Sequence, residues 1–256
     1  MSVSFSGFVK AARCLSLFIL LASPTVATAQ SVKEIHSREQ AWVAYFNQTR
    51  LTNRFGLWLD VHWRQTGDFI DRPFQLLVRP ALTTYIKDNV RINTGYAFIN
   101  HYPAEGFETT RPEHRIWEQI WWNQKYKSFS LLQWIRLEQR FLRNIANDEL
   151  QEGYQKANRI RYNFMFAVPL KKQDVVKGTP TAVLSNELFL NLGENVVYNT
   201  FDQNRFFIGG GYQFTSSLNA QLGYLNVYQQ EASGNRYMVT HAIRFYLIHS
   251  LDLRKE

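Results

Sequence analysis

The chain has 256 residues, 45% hydrophobic and 15% aromatic, with 29 basic against 21 acidic side chains and a formal net charge of +8 at pH 7. Its one cysteine, Cys14, lies near the N-terminus, which excludes a disulfide framework and thiolate metal sites for the rest of the chain. Past that region no stretch stays apolar for the roughly 18 residues of a membrane-spanning helix, so the membrane-crossing form open to it is a closed β-barrel.

At the N-terminus Lys10 and Arg13 precede the apolar run Cys14 to Ala22, and a small-residue stretch ends in Ala27-Thr28-Ala29. This pattern predicts a secretory signal peptide over residues 1–29, cleaved after Ala29. The Ala11-Ala12-Arg13 that precedes Cys14 is not the small-residue context of a lipoprotein site. Residues 30–38 then read as a periplasmic N-terminal segment or a weak first strand, 39–250 as the barrel, and 251–256 as a charged tail.

The predicted strands follow in order. Glu39 to Gln48 places Trp42, Ala44 and Phe46 on one side. Arg54 to Arg64 alternates cleanly, with Phe55, Leu57, Leu59, Val61 and Trp63 on one face and Trp58, Asp60, His62 and Arg64 on the other. In Phe74 to Tyr85, Leu76, Val78, Pro80 and Leu82 face out and Gln75, Arg79 and Thr83 face in, and Pro80 predicts a bulge or a local break in pairing. Val90 to His101 sets Ile92, Tyr96 and Phe98 against Arg91 and Asn93. His114 to Tyr126 is strand-like with a poor period, since Ile116, Ile120 and Trp122 share a face with Glu118, and its two sides stay unassigned.

Leu131 to Phe141 carries the clearest pattern of the chain. Arg136, Glu138 and Arg140 share one face, with Ile135 and Leu137 on the other, because strand side chains alternate with period two. Asn158 to Leu170 repeats it, with Arg159, Arg161 and Asn163 opposite Ile160, Tyr162, Phe164 and Phe166. Leu184, Leu188 and Leu190 then alternate with Ser185, Glu187 and Asn191. Arg205 to Phe214 contains Gly209-Gly210-Gly211, which permits a close approach or a sharp bend. Leu218 to Gln229 and Arg236 to Ile248 complete the series, the last with Ile243, Phe245 and Leu247 on the apolar face and Arg244 across.

Connections at 49–53, 87–89, 127–128 and 215–217 read as short, and those at 65–72, 102–113, 143–157 and 192–203 as long. Short turns at one rim and long loops at the other are the pattern of a transmembrane barrel. The sequence therefore predicts an all-β fold: a closed, antiparallel, up-and-down transmembrane β-barrel. Eleven strands are countable. A barrel with both ends at one rim needs an even number, which favours twelve, with Ser31 to Ser37 as the extra strand, or ten if the Glu39 strand stands outside the wall.

At these residues the chain resembles a bacterial outer-membrane family catalogued as domain of unknown function number 2490. The resemblance rests on Glu113-x-Arg115, Arg136-x-Glu138-x-Arg140, Arg159-x-Arg161-Tyr162-Asn163, Asn186-Glu187-Leu188-Phe189 and Phe201-Asp202-Gln203-Asn204-Arg205, and it extends from roughly Glu39 onward. It implies fold and location. That family has no assigned activity, so the resemblance implies none here.

The inward face is the candidate site. It collects Arg79, Arg91, Arg136, Arg140, Arg159, Arg161, Arg205 and Arg244, against the acids Asp60, Glu138 and Glu187. Such a lining would concentrate anions in a water-filled passage. The competing role is structural, with guanidinium forks pairing carboxylates and holding the wall in register. The surplus of arginine argues that some are not internally paired.

A serine hydrolase needs a Ser and a His in hydrogen-bond reach. No spacing links His62, His101, His114 or His241 to Ser185 or Ser250, so no catalytic residue is expected. No paired His/Asp/Glu spacing predicts a metal site. The triple glycine lacks the Lys-Ser/Thr of a phosphate loop, and no cofactor is expected. With its arginines inside, the chain is a poor nucleic-acid binder.

The expectation is thus a Sec-exported barrel of the bacterial outer membrane, meeting outer-membrane lipid and, during biogenesis, the barrel-insertion machinery. It would act as a narrow pore or binder for a small anionic solute. A non-conducting structural or adhesive barrel using loops 102–113 and 143–157 is the first alternative. A membrane-embedded lipid hydrolase or acyltransferase and a soluble periplasmic β-protein are the others.

Overall fold

A computed structural model describes residues 32–254 apart from 172–173 and 195. The expected signal peptide over residues 1–29 lies outside the described residues. The rest is all-β: β1 (Glu34–Arg50), β2 (Phe55–Thr66), β3 (Arg72–Lys87), β4 (Val90–His101), β5 (Arg111–Lys125), β6 (Ser130–Ala146), β7 (Glu149–Pro169), β8 (Pro180–Leu192), β9 (Phe201–Gln213), β10 (Leu218–Gln230) and β11 (Arg236–Asp252). Each strand pairs antiparallel with the next, and β1 closes on β11 to complete a barrel. No helix among the described residues is long and apolar enough to cross a membrane.

The count of eleven corrects the expectation of twelve strands, and equally that of ten. Residues from Glu34 to Ser37 do not form a separate strand; they are the first residues of β1, continuous with the Glu39 strand. Each connection reverses the chain, so the first and eleventh strands point the same way. Their seam is accordingly parallel, running from Glu34 opposite Arg236 to Arg50 opposite Asp252, and the sheet is not antiparallel throughout.

Alternation sorts the two faces. Outside, Leu222, Ile208 and Ile243 are 57%, 52% and 51% exposed. Inside, Asp60, Glu113 and Asn93 are fully buried. The interior is not purely polar, however. Five of the seven tryptophans point inward: Trp42, Trp58 and Trp117 are buried, and Trp121 and Trp134 line the lumen. Two apolar clusters result, one around Trp42, Val183, Phe207, Leu225 and Val227, the other around Trp58, Leu77, Ile99 and Trp117.

Local chemistry accounts for the irregular points. Pairing of β3 with β4 lapses at Arg79 and Pro80 and resumes in the same register, the break expected where proline has no N–H to give. The triple glycine serves close approach. A Cβ on Gly209 would lie 2.7 Å from the Phe207 ring and one on Gly223, its partner on β10, 2.9 Å from the same ring.

The stretch 143–157, expected as a long loop, is instead strand. β6 and β7 run through it to a two-residue turn at Asn147 and Asp148, with φ of 52° and 57°, the left-handed pair of a type I′ hairpin.

Candidate functional site: the barrel lumen

Cross-strand register decides which charged side chains meet. Arg115 on β5 sits directly opposite Arg140 on β6, and Arg136 on β6 directly opposite Arg161 on β7. Like charges placed so repel, and each pair is relieved by a carboxylate beside it. Glu113 accepts from Arg115 Nε at 2.6 Å, from Arg140 Nε at 2.6 Å and from His101 Nε2 at 2.7 Å. Glu138 accepts from Arg159 Nη2 and Arg161 Nη1, both at 2.6 Å.

Further carboxylates complete this half of the lumen. Arg159 Nη1 also reaches Asp202 at 2.6 Å, and Arg161 pairs Glu187. Asp202 gets there through a bulge in β9 that leaves it unpaired between Phe201 and Gln203 and turns it inward together with Gln203. On β2 and β3, Asp60 accepts from Arg79 Nε at 3.0 Å and Trp58 Nε1 at 2.6 Å.

A second set of arginines is held differently, by the side-chain oxygens of glutamines. Arg64 donates to Gln75 at 2.7 Å, Arg91 to Gln48 at 2.6 Å, Arg136 to Gln119 at 2.8 Å, Arg205 to Gln203 at 2.9 Å and Arg244 to Gln221 at 3.0 Å. Of these, Arg136 alone among the described residues comes within 4 Å of a carboxylate, Glu138 at 3.8 Å, while Arg205 stands directly opposite Glu187, which Arg161 already pairs. Aromatic faces back all five: Arg64 lies over Trp42, Arg91 over Trp121, Arg136 over Trp117, Arg205 over Phe189 and Arg244 over Phe207, at 3.2 to 4.4 Å from the ring centres. An amide orients a guanidinium without cancelling its charge. Within these five guanidiniums, Arg64 Nε, Arg91 Nε, Arg136 Nη1 and Arg244 Nε are buried with no hydrogen-bond partner among the described residues.

Both sets border one interior cavity of about 510 Å3. Of the residues expected to line the lumen, Arg79, Arg136, Arg140, Arg159, Arg161, Glu187, Arg205 and Arg244 face this cavity. Glu138 lies buried beneath its arginines, and Arg91 is buried against Gln48 and Trp121.

Glu113 and Arg115 stand out in the sequence as part of the family resemblance but could not be assigned to the lumen, because their strand has large apolar residues on both faces. Arg64 and Asp202 were legible as charged inward or family-motif positions but were not placed with the cluster. The glutamines gave no signal, since an amide looks the same in sequence whether it faces water or a guanidinium.

Among the described histidines, His62 bonds Asp60 at 3.2 Å and His101 bonds Glu113, while His114 and His241 face outward against Tyr96 and Tyr224. Ser185 faces the lumen and, among the described residues, bonds no histidine.

A family model described as "Protein of unknown function (DUF2490)" matches residues 39–238. A protein of Methylorubrum extorquens described as uncharacterised is 27% identical over 230 residues, covering 86% of this chain and 90% of its own length. No solved structure matches the chain.

Proposed function

Since the chain belongs to the family described as proteins of unknown function DUF2490, whose description carries no activity, we propose from the lumen itself that this is an outer-membrane barrel taking up a small anionic solute, as a narrow pore or binder. The observation that carries the reading is the set of arginines held by glutamines. A purely structural lining would neutralise its cations, because an uncompensated buried charge is costly. Arg64, Arg205 and Arg244 form no ion pair among the described residues and are positioned by amides and stacked on rings around open volume; the carboxylate opposite Arg205, Glu187, is already paired to Arg161. That is how a protein readies positive charge for an anion that arrives from outside.

The membrane location rests on three supports: a closed sheet, a broadly apolar exterior, and the secretory pattern of the first 29 residues. A second reading, a non-conducting structural barrel, draws on the arginines clamped by Glu113 and Glu138, which brace neighbouring strands.

Purified protein in planar bilayers, with calorimetric titration of inorganic phosphate alongside, separates the two. Anion-selective current or saturable phosphate binding, either one weakened by Arg244→Glu, is the expected result. A silent bilayer together with no anion binding would leave the structural reading.

A further inference from the structure

We infer that the solute is an amphipathic organic anion, its acidic head at Arg64, Arg205 and Arg244 and its apolar body against Leu225, Val227 and Met165. The inference rests on the anion-binding reading above and narrows it. Register builds the head site. Gln75, Arg64, Trp42, Arg244, Gly223 and Gly209 occupy one continuous row across β3, β2, β1, β11, β10 and β9, so Arg64 and Arg244 stand on either side of Trp42, the Arg244 guanidinium lying over Phe207 of the same apolar cluster.

Arg64 and Arg205 both lie over the Trp42 ring, at 3.6 and 5.0 Å, which brings the third cation to the same place. None of the three forms an ion pair among the described residues; each is held by a glutamine. Arg64 and Arg244 are more than nine-tenths buried, and the Nε of each is without a partner. A carboxylate or phosphate oxygen is the chemistry that would satisfy those N–H groups.

The second observation concerns what adjoins the head site. The apolar cluster of Trp42, Val183, Phe207, Leu225, Val227 and Ala242, with Met165 against it, borders the same cavity. An inorganic anion would leave that wall facing water. An anion with a hydrocarbon body would cover it, gaining about fourfold in affinity per buried methylene. The cavity of about 510 Å3 falls in the range of small organic ligand sites.

The test is calorimetric titration of the protein in phosphatidylcholine nanodiscs, with empty nanodiscs subtracted, using octanoate, acetate and octyltrimethylammonium. Octanoate should bind at least about 30-fold more tightly than acetate, and octyltrimethylammonium should not compete. Arg244→Gln should weaken octanoate about tenfold, and Val227→Thr should weaken octanoate while sparing acetate. Heat-modified gel mobility establishes that each variant folds, and the wild-type series decides alone if one does not.

Equal binding of acetate and octanoate overturns the amphipathic assignment and leaves the anion reading standing. Binding of octyltrimethylammonium as tight as octanoate, or no binding of any anion, overturns both.

Discussion

Ten of the lumen arginines divide by partner, carboxylate or glutamine, and the partner determines what a substitution does. Glu138 is 2% exposed and accepts from Arg159 and Arg161, with Arg115 at 3.7 Å. Glu138→Ala leaves Arg136 with no carboxylate within 4 Å among the described residues and Arg115, Arg159 and Arg161 with one each. The expected loss is about 3–5 kcal/mol, read from the urea midpoint in detergent micelles. Arg244→Gln removes a buried cation with no counter-charge, and the expected change is less than about 1 kcal/mol or a small gain. Equal losses from the two variants would refute the division.

Gly223→Ala tests packing at the same scale. Its Cβ would come 2.5 Å from Gly209 Cα and 2.9 Å from the Phe207 ring, overpacking the floor on which that ring lies. The cost should be about 1–3 kcal/mol by the same urea measurement. A neutral result would show that β9 and β10 can part here, since moving the Phe207 ring alone leaves the Ile208 carbonyl oxygen 2.3 Å from the new Cβ.

At the scale of elements, the hairpin of β6 and β7 is where composition misled and turn chemistry would have helped. Residues 143–157 are polar, and polarity is what a loop shows. Here the polarity belongs to a two-stranded ribbon that β8 begins to pair only at Asn158, and β5 reaches only to Leu142. With water available on both sides of the ribbon, no apolar alternation is required. The legible clue was Asn147-Asp148, residue types that tolerate the left-handed region at both turn positions. By contrast, β2, β6 and β7 were legible because one face of each carries charged side chains and the other mostly apolar ones.

The turn also fastens a neighbour. Asp148 accepts the backbone N–H of Glu108 at 2.8 Å and of Thr109 at 3.1 Å, tying the 102–110 connection to the hairpin tip. Those donors hold its carboxyl below the ordinary aspartate value of 3.8. A depressed carboxylate stabilises the docked loop fully above that ordinary value and stops doing so as pH falls through the depressed one. The Glu108 and Thr109 amide proton shifts should therefore be constant at neutral pH and move together only in acid below the usual carboxylate range. Asp148→Ala should give the acid shifts at neutral pH. Movement centred near pH 6 would assign the tie to another group.

For the whole molecule, the property that local pattern could not supply was closure. Alternation is a property of one strand and its two faces, and it gave eleven strands correctly. How the first meets the last depends on partners some 200 residues apart, and the assumption that both ends share a rim pushed the count to twelve. An odd number obliges the chain to enter at one rim and leave at the other, with a parallel seam between.

That seam makes a sharp prediction. Ser37 on β1 is paired with Val239 on β11. Cysteines at both positions would sit at the separation of neighbouring strands, within the Cα spacing a disulfide spans, about 4.4–6.8 Å. The sequence has one other cysteine, Cys14, which signal cleavage after Ala29 would remove. Mild oxidation of Ser37→Cys, Val239→Cys in folded protein should therefore close most of the chain into a loop, shifting its mobility on a denaturing gel and reversing with reductant. The control pair Ser37→Cys with Leu251→Cys, placed near opposite ends of the same two strands, should stay open. An antiparallel seam, or a wall with a further strand between β1 and β11, would reverse that outcome or abolish both links, and with it the register row that sets Arg64, Trp42 and Arg244 side by side.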